Sequence, residues 1–252
     1  LPRTVLRPLV TQLTRSPTRL SGPWKLLEAT NDLPDAHQAT VRRVCAYQIA
    51  QCLFPTWVRR RLYVDSSLIP VEKVSFGLPH EFLAFLSAEL APGEPPQETF
   101  SRLALRLFLG ERCLRDTDTT SMAVSLEVRA PFTDHSLIET VWAVPAPQRC
   151  AGSPNKPFQW TLVKPYLGPD YPVRTKQGFT FPFQEWLRER QVFDIVQTTL
   201  GDATLLQEIG LDPSAVQQLM NAFQQPGSAL PWSRLWAIFV LCYWCAQNRV
   251  RL

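Results

Sequence analysis

The chain has 252 residues, of which 45% are hydrophobic and 19% charged, a composition that supports a buried core and excludes an intrinsically disordered chain. Its 26 basic and 22 acidic side chains leave a net charge of only +4. The one basic cluster is Arg59, Arg60 and Arg61. Because no ladder of aromatic residues accompanies it, a solvated helix end is preferred over a nucleic-acid patch, and we expect no nucleic-acid partner.

Proline is abundant (23 residues) and glycine scarce (10), which predicts stiff turns and sharply bounded helices. Residues 1–34 are basic and proline-punctuated, with short helical pieces. Thr40 can cap a helix that runs to about Phe54 along one broad apolar stripe. A proline-rich break at 92–96 then precedes a long amphipathic segment over about 98–115.

The second half of the chain is also predicted to be helical, with one exception. Residues 116–134 show no clean period, and 127–131 is typical of extended backbone. Asp134 can cap a helix, and Asp212 followed by Pro213 is a strong start signal. The predicted helices cover residues 136–143, 157–166, 182–200, 213–225 and 232–247. Strand signals are sparse and no repeat is present, so the chain is predicted to be mainly α.

The longest apolar run, residues 235–246, covers about 12 residues, whereas a membrane span needs about 20. A buried core helix is therefore predicted, and no membrane partner. Within this run Cys242 and Cys245 form a C-x-x-C pair. A disulfide and a zinc site are the alternatives, but no second pair or nearby histidines complete four ligands, so buried reduced thiols are preferred. We expect no metal site and a reducing, cytoplasmic location.

Glycine spacing argues against a phosphate-binding loop within this chain. Backbone N–H groups that surround phosphate need closely spaced glycines, and the closest pair here is Gly201 and Gly210. No nucleophile elbow is present, and the three histidines form no metal-ligand pattern. The chain begins at Leu1 without a signal peptide, so we expect a piece of a longer polypeptide that alone lacks a complete catalytic apparatus.

Two segments concentrate charge. The first, residues 116–134, places five charged side chains among apolar ones: Asp116, Asp118, Glu127, Arg129 and Asp134. Charges in apolar surroundings must be paired, because burying them alone is very costly. Since Glu127 and Arg129 share one face of an extended segment, an internal ion-pair network is preferred here over direct catalysis.

The second segment, residues 174–182, combines Arg174, Lys176 and Gly178 in a predicted loop. Lys176 would offer a flexible point charge to an anion, and Gly178 would let the loop turn back on itself. A solvated loop lysine is the alternative, and composition alone favours it.

Both segments resemble the asparagine synthetase family, specifically the carboxyl-terminal portion of its synthetase domain. The family pattern D-x-x-S-M-A-x-S-L-E-x-R-x-P-F-x-D is met at residues 118–134, followed by a lysine at Lys156, and R-x-K-x-G-F-x-x-P-x-x-x-W-L is met at 174–187. The likeness covers about residues 111–247. We therefore expect residues 1–110 to be a helical segment that follows a missing nucleotide-binding part, and residues 111–252 to end the synthetase domain.

The resemblance implies the C-terminal helical part of an α/β synthetase domain of the ATP-pyrophosphatase type, with an adenine nucleotide alpha-hydrolase-like fold. A full-length member adds an amino-terminal glutaminase domain. Its synthetase domain activates a carboxylate, typically aspartate, with ATP and Mg²⁺ to an acyl-adenylate and pyrophosphate. Ammonia from glutamine then attacks, and the amide and AMP leave. The chain would thus be part of a glutamine-hydrolysing asparagine synthetase, a carbon–nitrogen ligase, with a homodimer left open.

The same resemblance gives roles to individual residues. Lys176 would be catalytic, because a preorganised cation at developing negative charge is among the larger single catalytic effects. Residues near the substrate or nucleotide would be Ser121, Met122, Arg174 and Gly178. Framework ion pairs would involve Asp118, Glu127, Arg129 and Asp134. ATP and Mg²⁺ would be held mainly by the part that is missing.

Departures from the family pattern keep two alternatives open. Thr119 and Thr133 replace a usual basic residue and a usual leucine. Arg112 lies where several members place carboxylates that meet the substrate amine, which favours another acceptor, such as a sugar acid of an exported polysaccharide. The S-G-G-x-D-S loop and the G-G-D-E segment are absent, so a non-catalytic remnant serving as a scaffold is the other alternative. The Lys176 loop favours the ligase.

Overall fold

A computed structural model describes residues 39–65, 74–75, 78–150, 156–168, 170–171, 181–228 and 230–251 of the chain. In these ranges helices dominate and the strands are two short ones, so the prediction of a mainly α chain is confirmed for the described residues. The strands β1 (Val74–Ser75) and β2 (Leu78–Pro79) pair antiparallel. None of the helices in these ranges has the length and apolar character that crossing a membrane requires.

Contacts group the chain into two compact units, one drawn from residues 1–87 and 180–252 and the other from residues 88–179. The predicted division at residues 110 and 111 stays a prediction. The helices of the first unit are α1 (Ala39–Gln51), α2 (Thr56–Leu62), α3 (His80–Ala88, whose last residue belongs to the second unit), α9 (Phe183–Trp186), α10 (Arg190–Leu200), α11 (Ala203–Glu208), α12 (Pro213–Gln224) and α13 (Trp232–Asn248).

The helices of the second unit are α4 (Pro96–Leu103), α5 (Arg115–Met122), α6 (His135–Trp142), α7 (Ala146–Cys150) and α8 (Pro157–Val163). A π-helical segment (Ala104–Leu114) joins α4 to α5, and two 3-10 turns follow (Pro131–Thr133 and Lys164–Tyr166). The chain is therefore helical without interruption from Pro96 to Met122.

The core of the first unit forms where α10, α12 and α13 pack on one another. Each helix contributes fully buried apolar side chains at helical spacing, for example Leu200, Phe223 and Leu235. Burying side chains of this size stabilises a fold by roughly 1.5–3 kcal/mol each. The short helix α11, which the sequence analysis did not predict, adds Leu206 to this core.

Two carboxylates fix where helices of the first unit begin. The Asp212 carboxylate accepts a hydrogen bond from the Ala215 N–H (2.8 Å), and Pro213 occupies the first helical position. The helix start predicted at residue 213 is therefore confirmed. Asp202 caps α11 in the same way, accepting from the Leu205 N–H at 3.0 Å.

The last helix confirms the predicted core helix in outline. Its inward face buries Leu235, Ile238 and Cys242 among other side chains, whereas four large apolar residues on the other side are exposed: Val240, Leu241, Tyr243 and Trp244. Cys242 and Cys245 are buried free thiols, as predicted. Burial raises the pKa of the Cys242 thiol to about 12, which keeps it protonated and unreactive.

A buried arginine ties distant parts of the first unit together. Arg234, at the start of α13, donates from Nε to the Leu53 carbonyl at 2.8 Å. The end of α2 is also paired with the turn before α12, since the Asp212 N–H donates to the Leu62 carbonyl at 2.8 Å and the Val64 N–H to the Gly210 carbonyl at 3.0 Å. Burial lowers the pKa of Arg234 to about 10, so the guanidinium remains charged at neutral pH.

Several predicted boundaries differ from the structure. The helix predicted to run from a Thr40 cap to about Phe54 is α1, Ala39–Gln51, so Thr40 lies within the helix. Residues 115–122 form a helix although they lack an apolar period. The hydroxyls of Thr117 and Thr120 donate to carbonyls of the preceding turn (2.8 and 2.7 Å), which satisfies these groups without favouring the helix. The helix predicted over residues 182–200 is instead two helices, α9 and α10. The chain turns between them and places Leu187 in the core.

We expect Leu200→Ala to lower the free energy of unfolding by about 2–5 kcal/mol, because it leaves a cavity in the α10–α12–α13 core. Ile195 lies on the same helix but is 55% exposed, so Ile195→Ala should cost about 0.5 kcal/mol or less. Urea unfolding of both variants measures the difference. Equal losses in the two variants would contradict the packing described here.

Candidate functional site

The structure places Asp118, Ser121 and Met122 on the last turns of α5. All three belong to a helix with no buried residue, and Met122 is more than half exposed. The Ser121 hydroxyl donates to the Asp118 carbonyl at 3.2 Å, which is a local helix contact. Asp118 is therefore a solvent-facing helix residue within this unit, and its predicted framework role is untested.

A tight turn follows α5 and sets the direction of the predicted extended segment. The N–H of Leu126 donates to the Ser121 carbonyl at 3.0 Å, and Ser125 adopts a left-handed backbone with φ 57°. A non-glycine residue in this region is uncommon, and such positions cluster at functional sites. The chain then runs without helix from Leu126 to Ala130, which agrees with the extended backbone predicted there.

Glu127 and Arg129 form the ion pair that their spacing predicts. Arg129 donates from Nε and Nη2 to Glu127 Oε1, each at 2.8 Å. The pair is not internal, however, since the two side chains are 85% (Arg129) and 70% (Glu127) exposed. In the described structure the apolar neighbours that suggested burial are exposed as well, and the framework role predicted for this pair stays a prediction.

Asp134 acts as a helix cap. One carboxylate oxygen accepts from the N–H groups of Ser136 (2.9 Å) and Leu137 (3.2 Å), which fixes the start of α6 as predicted. This contact holds the end of the motif segment against α6. A role for Asp134 in an ion pair stays a prediction.

Large apolar side chains alternate with these polar ones along the segment. Five of them are more than half exposed: Met122, Val124, Leu126, Val128 and Phe132. Because the period is two, Leu126 and Val128 share one face and the Glu127–Arg129 pair takes the other. An exposed apolar stretch of this extent is typical of an interaction surface rather than of scattered surface residues.

Lys176, Arg174 and Gly178 lie outside the described residues, so their predicted roles stay predictions. The end of the same motif is described. Phe183 stacks on Trp232 with ring centroids 4.5 Å apart, and Trp186 meets Phe183 edge-on at 5.4 Å. The Trp232 N–H also donates to the Gln184 side chain at 2.9 Å. These contacts anchor the end of the motif to α13.

A charged cluster that the sequence analysis missed joins α4 to α7 in the second unit. The Glu98 carboxylate accepts from the Ala146 N–H at 2.9 Å and from Arg149 Nη2. Arg149 also donates to the Val144 carbonyl and lies 4.8 Å from the centroid of the Trp142 ring. Both partners of the ion pair are largely buried. Their separation in the chain leaves no periodic signal that could have revealed the contact.

The adjacent pair of charges extends this cluster. Arg102 donates to Glu94 at 2.8 Å, and the Thr99 hydroxyl donates to the other Glu94 oxygen at 3.0 Å. Glu94 is buried, so the guanidinium and the hydroxyl together satisfy a carboxylate that would otherwise be costly to bury. In the part of the chain that the structure describes, no three His, Cys, Asp or Glu side chains converge as metal ligands would.

The asparagine synthase family model matches residues 10–246, nearly the whole chain. The chain belongs to this family. Domains of the family have an adenine nucleotide hydrolase-like fold and use ATP. The resemblance drawn from the two motifs is confirmed at the level of the family.

Curated relatives match this chain over part of its length. A Mycobacterium tuberculosis protein provisionally named glutamine-hydrolyzing asparagine synthetase is 25% identical over 154 residues, which are 61% of this chain and 23% of that protein. The Bacillus subtilis glutamine-hydrolyzing asparagine synthetase 3 is 33% identical over 101 residues, 36% of this chain and 16% of that protein. The chain thus spans less than a quarter of each relative's length. No solved structure matches.

We expect Glu98→Gln to destabilise the protein at pH 7, by about 1.5–3 kcal/mol for a hydrogen bond to a charged group. The hydrogen bond from Arg149 is the largest influence on the pKa of Glu98 and lowers it. Desolvation opposes this effect, and the hydrogen bond from the Ala146 N–H lowers the pKa further. A carboxyl group whose pKa is lowered by folding stabilises the protein at pH values above its ordinary pKa of about 4.3. This stabilisation is lost as the pH falls through the pKa of the folded state.

The difference in Tm between the parent protein and Glu98→Gln should therefore be largest near neutral pH and should shrink in acid. Thermal unfolding from pH 7 to pH 3 measures it. Glu139→Gln, on the exposed face of α6, is the matched control and should show no such trend. A Tm difference for Glu98→Gln that stays constant over this range would contradict the assignment.

Proposed function

We propose that this chain is the C-terminal part of an ATP-dependent, glutamine-using amide ligase of the asparagine synthetase type. The observation that carries the proposal is the family match over residues 10–246, together with two long motifs in the family's order. In the proposed reaction ATP activates the carboxylate of aspartate with release of pyrophosphate. Ammonia from glutamine replaces the activated oxygen, and asparagine and AMP leave.

Lys176 is the residue to which we assign catalysis. Its ammonium would stabilise negative charge on the phosphate and in the transition state, with Arg174 and Gly178 shaping the loop around it. The aromatic anchor of Phe183, Trp186 and Trp232 supports this assignment, because a loop that must meet a substrate benefits from a rigid attachment at its end.

The residues of this chain do not fit a complete nucleotide site. The sequence has no glycine-rich loop whose N–H groups could surround phosphates, and no acidic cluster for Mg²⁺ occurs among the described residues. The role proposed for this chain at the phosphates is therefore limited to the charge of Lys176. Ser121 and Met122, at the exposed end of α5, are proposed as the residues that come nearest to the nucleotide or substrate.

A second candidate is an amide ligase that acts on a carboxylate other than aspartate, such as a sugar acid of a polysaccharide. Arg112 favours it, because a cation occupies the position at which several members place carboxylates toward the substrate amine. The guanidinium lies 5.8 Å from the centroid of the Phe108 ring. A cation at this point would repel an ammonium group and would attract an acidic acceptor.

We expect Lys176→Ala to reduce AMP formation roughly 10²–10³-fold, the loss typical when one group that stabilises developing charge is removed. Glutamine hydrolysis should be unchanged, since Lys176 is assigned to the amide-forming reaction alone. The measurement is AMP and glutamate release by the protein as its gene encodes it. Lys164→Ala, on an exposed 3-10 turn, is the control. Turnover of Lys176→Ala within a few-fold of the parent would refute the role.

The acceptor can be decided by the same assay. With ATP and glutamine present, we expect AMP to form when aspartate is added and to stay at background with glucuronate or galacturonate. The opposite pattern would replace the first candidate with the second. If none of these three acceptors leads to AMP formation, both candidate functions are refuted.

A further inference from the structure

The outer face of α13 is apolar and open to solvent. Val240, Leu241 and Trp244 are between 43% and 54% exposed, whereas the opposite side of the same helix is buried in the core. No charged residue lies on the helix after the buried Arg234. Surface helices normally place charged and polar residues toward water, and a contiguous exposed apolar face is typical of an interaction site. We therefore asked what chemistry this face fits.

The residues along the middle of the outer face follow a spacing that is the same in both directions. They are separated by four, three, one, three and four positions and are Ser233, Ala237, Val240, Leu241, Trp244 and Asn248. Spacings of three and four place these side chains in one stripe along an α-helix. The centre of the stripe lies between residues 240 and 241, within one residue of the centre of α13 itself.

This symmetry makes the stripe complementary to a second copy of itself. If two copies of α13 pack antiparallel about a two-fold axis at the centre of the stripe, they overlap along their whole length. Ala237 of each copy then lies level with Trp244 of the other, so a small side chain faces a large ring on both sides of the axis. Val240 and Leu241 of both copies meet at the axis, and the polar residues of the stripe lie at its two ends, where water reaches them.

The absence of charge on the stripe supports the same occupant. Two identical charged faces would repel each other, whereas this face recognises its partner through shape and apolar area alone. The area is small. A single helix face of this kind buries roughly a few hundred Å² per copy, below the roughly 800 Å² per partner of a standard stable interface. We therefore expect a weak, reversible dimer.

We propose that the outer face of α13 is a self-association surface, on which a second copy of this chain packs antiparallel through the stripe from Ser233 to Asn248. The pairing joins Ala237 to Trp244 across the two-fold axis in both directions. It is independent of the amide-forming reaction, since it uses none of the residues to which a role in that reaction is assigned.

Sedimentation equilibrium of the protein as its gene encodes it measures the association, over about 1–300 μM. We expect a dimer with a dissociation constant on the order of 10 μM. Trp244→Glu should weaken it at least about 10-fold, because it would place two carboxylates in an apolar contact. Ile195→Glu, at a 55% exposed position of α10, introduces the same charge away from the stripe and should leave the association unchanged.

Exchanging the large and the small residue tests the register. Ala237→Trp alone should weaken the dimer at least about 10-fold, because it sets two large rings level with each other. Combining Ala237→Trp with Trp244→Ala restores one large and one small residue at each level, so the double variant should associate within a few-fold of the parent. A general loss of stability cannot produce this recovery, and the Tm of each variant checks that it is folded.

Three results would overturn the proposal. The first is a protein that stays monomeric over the whole concentration range, which would mean that another part of the polypeptide covers the face. The second is association that Trp244→Glu leaves unchanged, which would place the contact between copies elsewhere. The third is a double variant that associates no better than Ala237→Trp. If Trp244→Glu does not fold, the exchange of residues 237 and 244 still decides the question.

Discussion

The Glu98 carboxylate is the contact on which the second unit depends. It accepts from a backbone N–H at the start of α7 and from the guanidinium of Arg149, so one side chain on α4 fixes both the position and the charge of another helix. Arg149 in turn covers Trp142 at the end of α6. Three helices, α4, α6 and α7, are thereby held by a single acid. A buried pair of this kind is costly to break, because either partner alone would be an uncompensated charge.

Local signals in the sequence predicted a large part of the fold. Asp134 and Asp212 begin helices where a capping carboxylate indicates a start, and α13 ends one residue from its predicted limit. These features depend on neighbours a few residues away, which a sequence displays directly. Two features of the helices were not predicted. α5 has no apolar stripe to reveal it, and Leu187 interrupts a predicted helix because the core, not the local pattern, decides its place.

Contacts between distant residues account for what could not be predicted. Arg234 bonds to the Leu53 carbonyl and Glu98 to Arg149, and neither pair shares a turn, a strand face or a helix stripe. For the candidate site, the spacing of Glu127 and Arg129 correctly predicted their pairing, since side chains two apart on extended backbone lie on the same side. It could not predict exposure. Apolar neighbours in a sequence indicate burial only where some other element covers them.

The exposure of that segment also determines what its ion pair can do. In solvent a pair such as Glu127–Arg129 contributes about 0–1 kcal/mol, too little to hold a framework. Its backbone, however, carries a charged face and an apolar face at a period of two, with Leu126 and Val128 opposite the pair. Leu126 and Val128 are about half exposed, so covering the apolar face would release roughly 1 kcal/mol for each of them and would exclude water from the charges beside it. Glu127 and Arg129 can therefore act as a framework only when another surface covers them. Once the pair is removed from water, loss of either side chain would leave the other as an uncompensated buried charge.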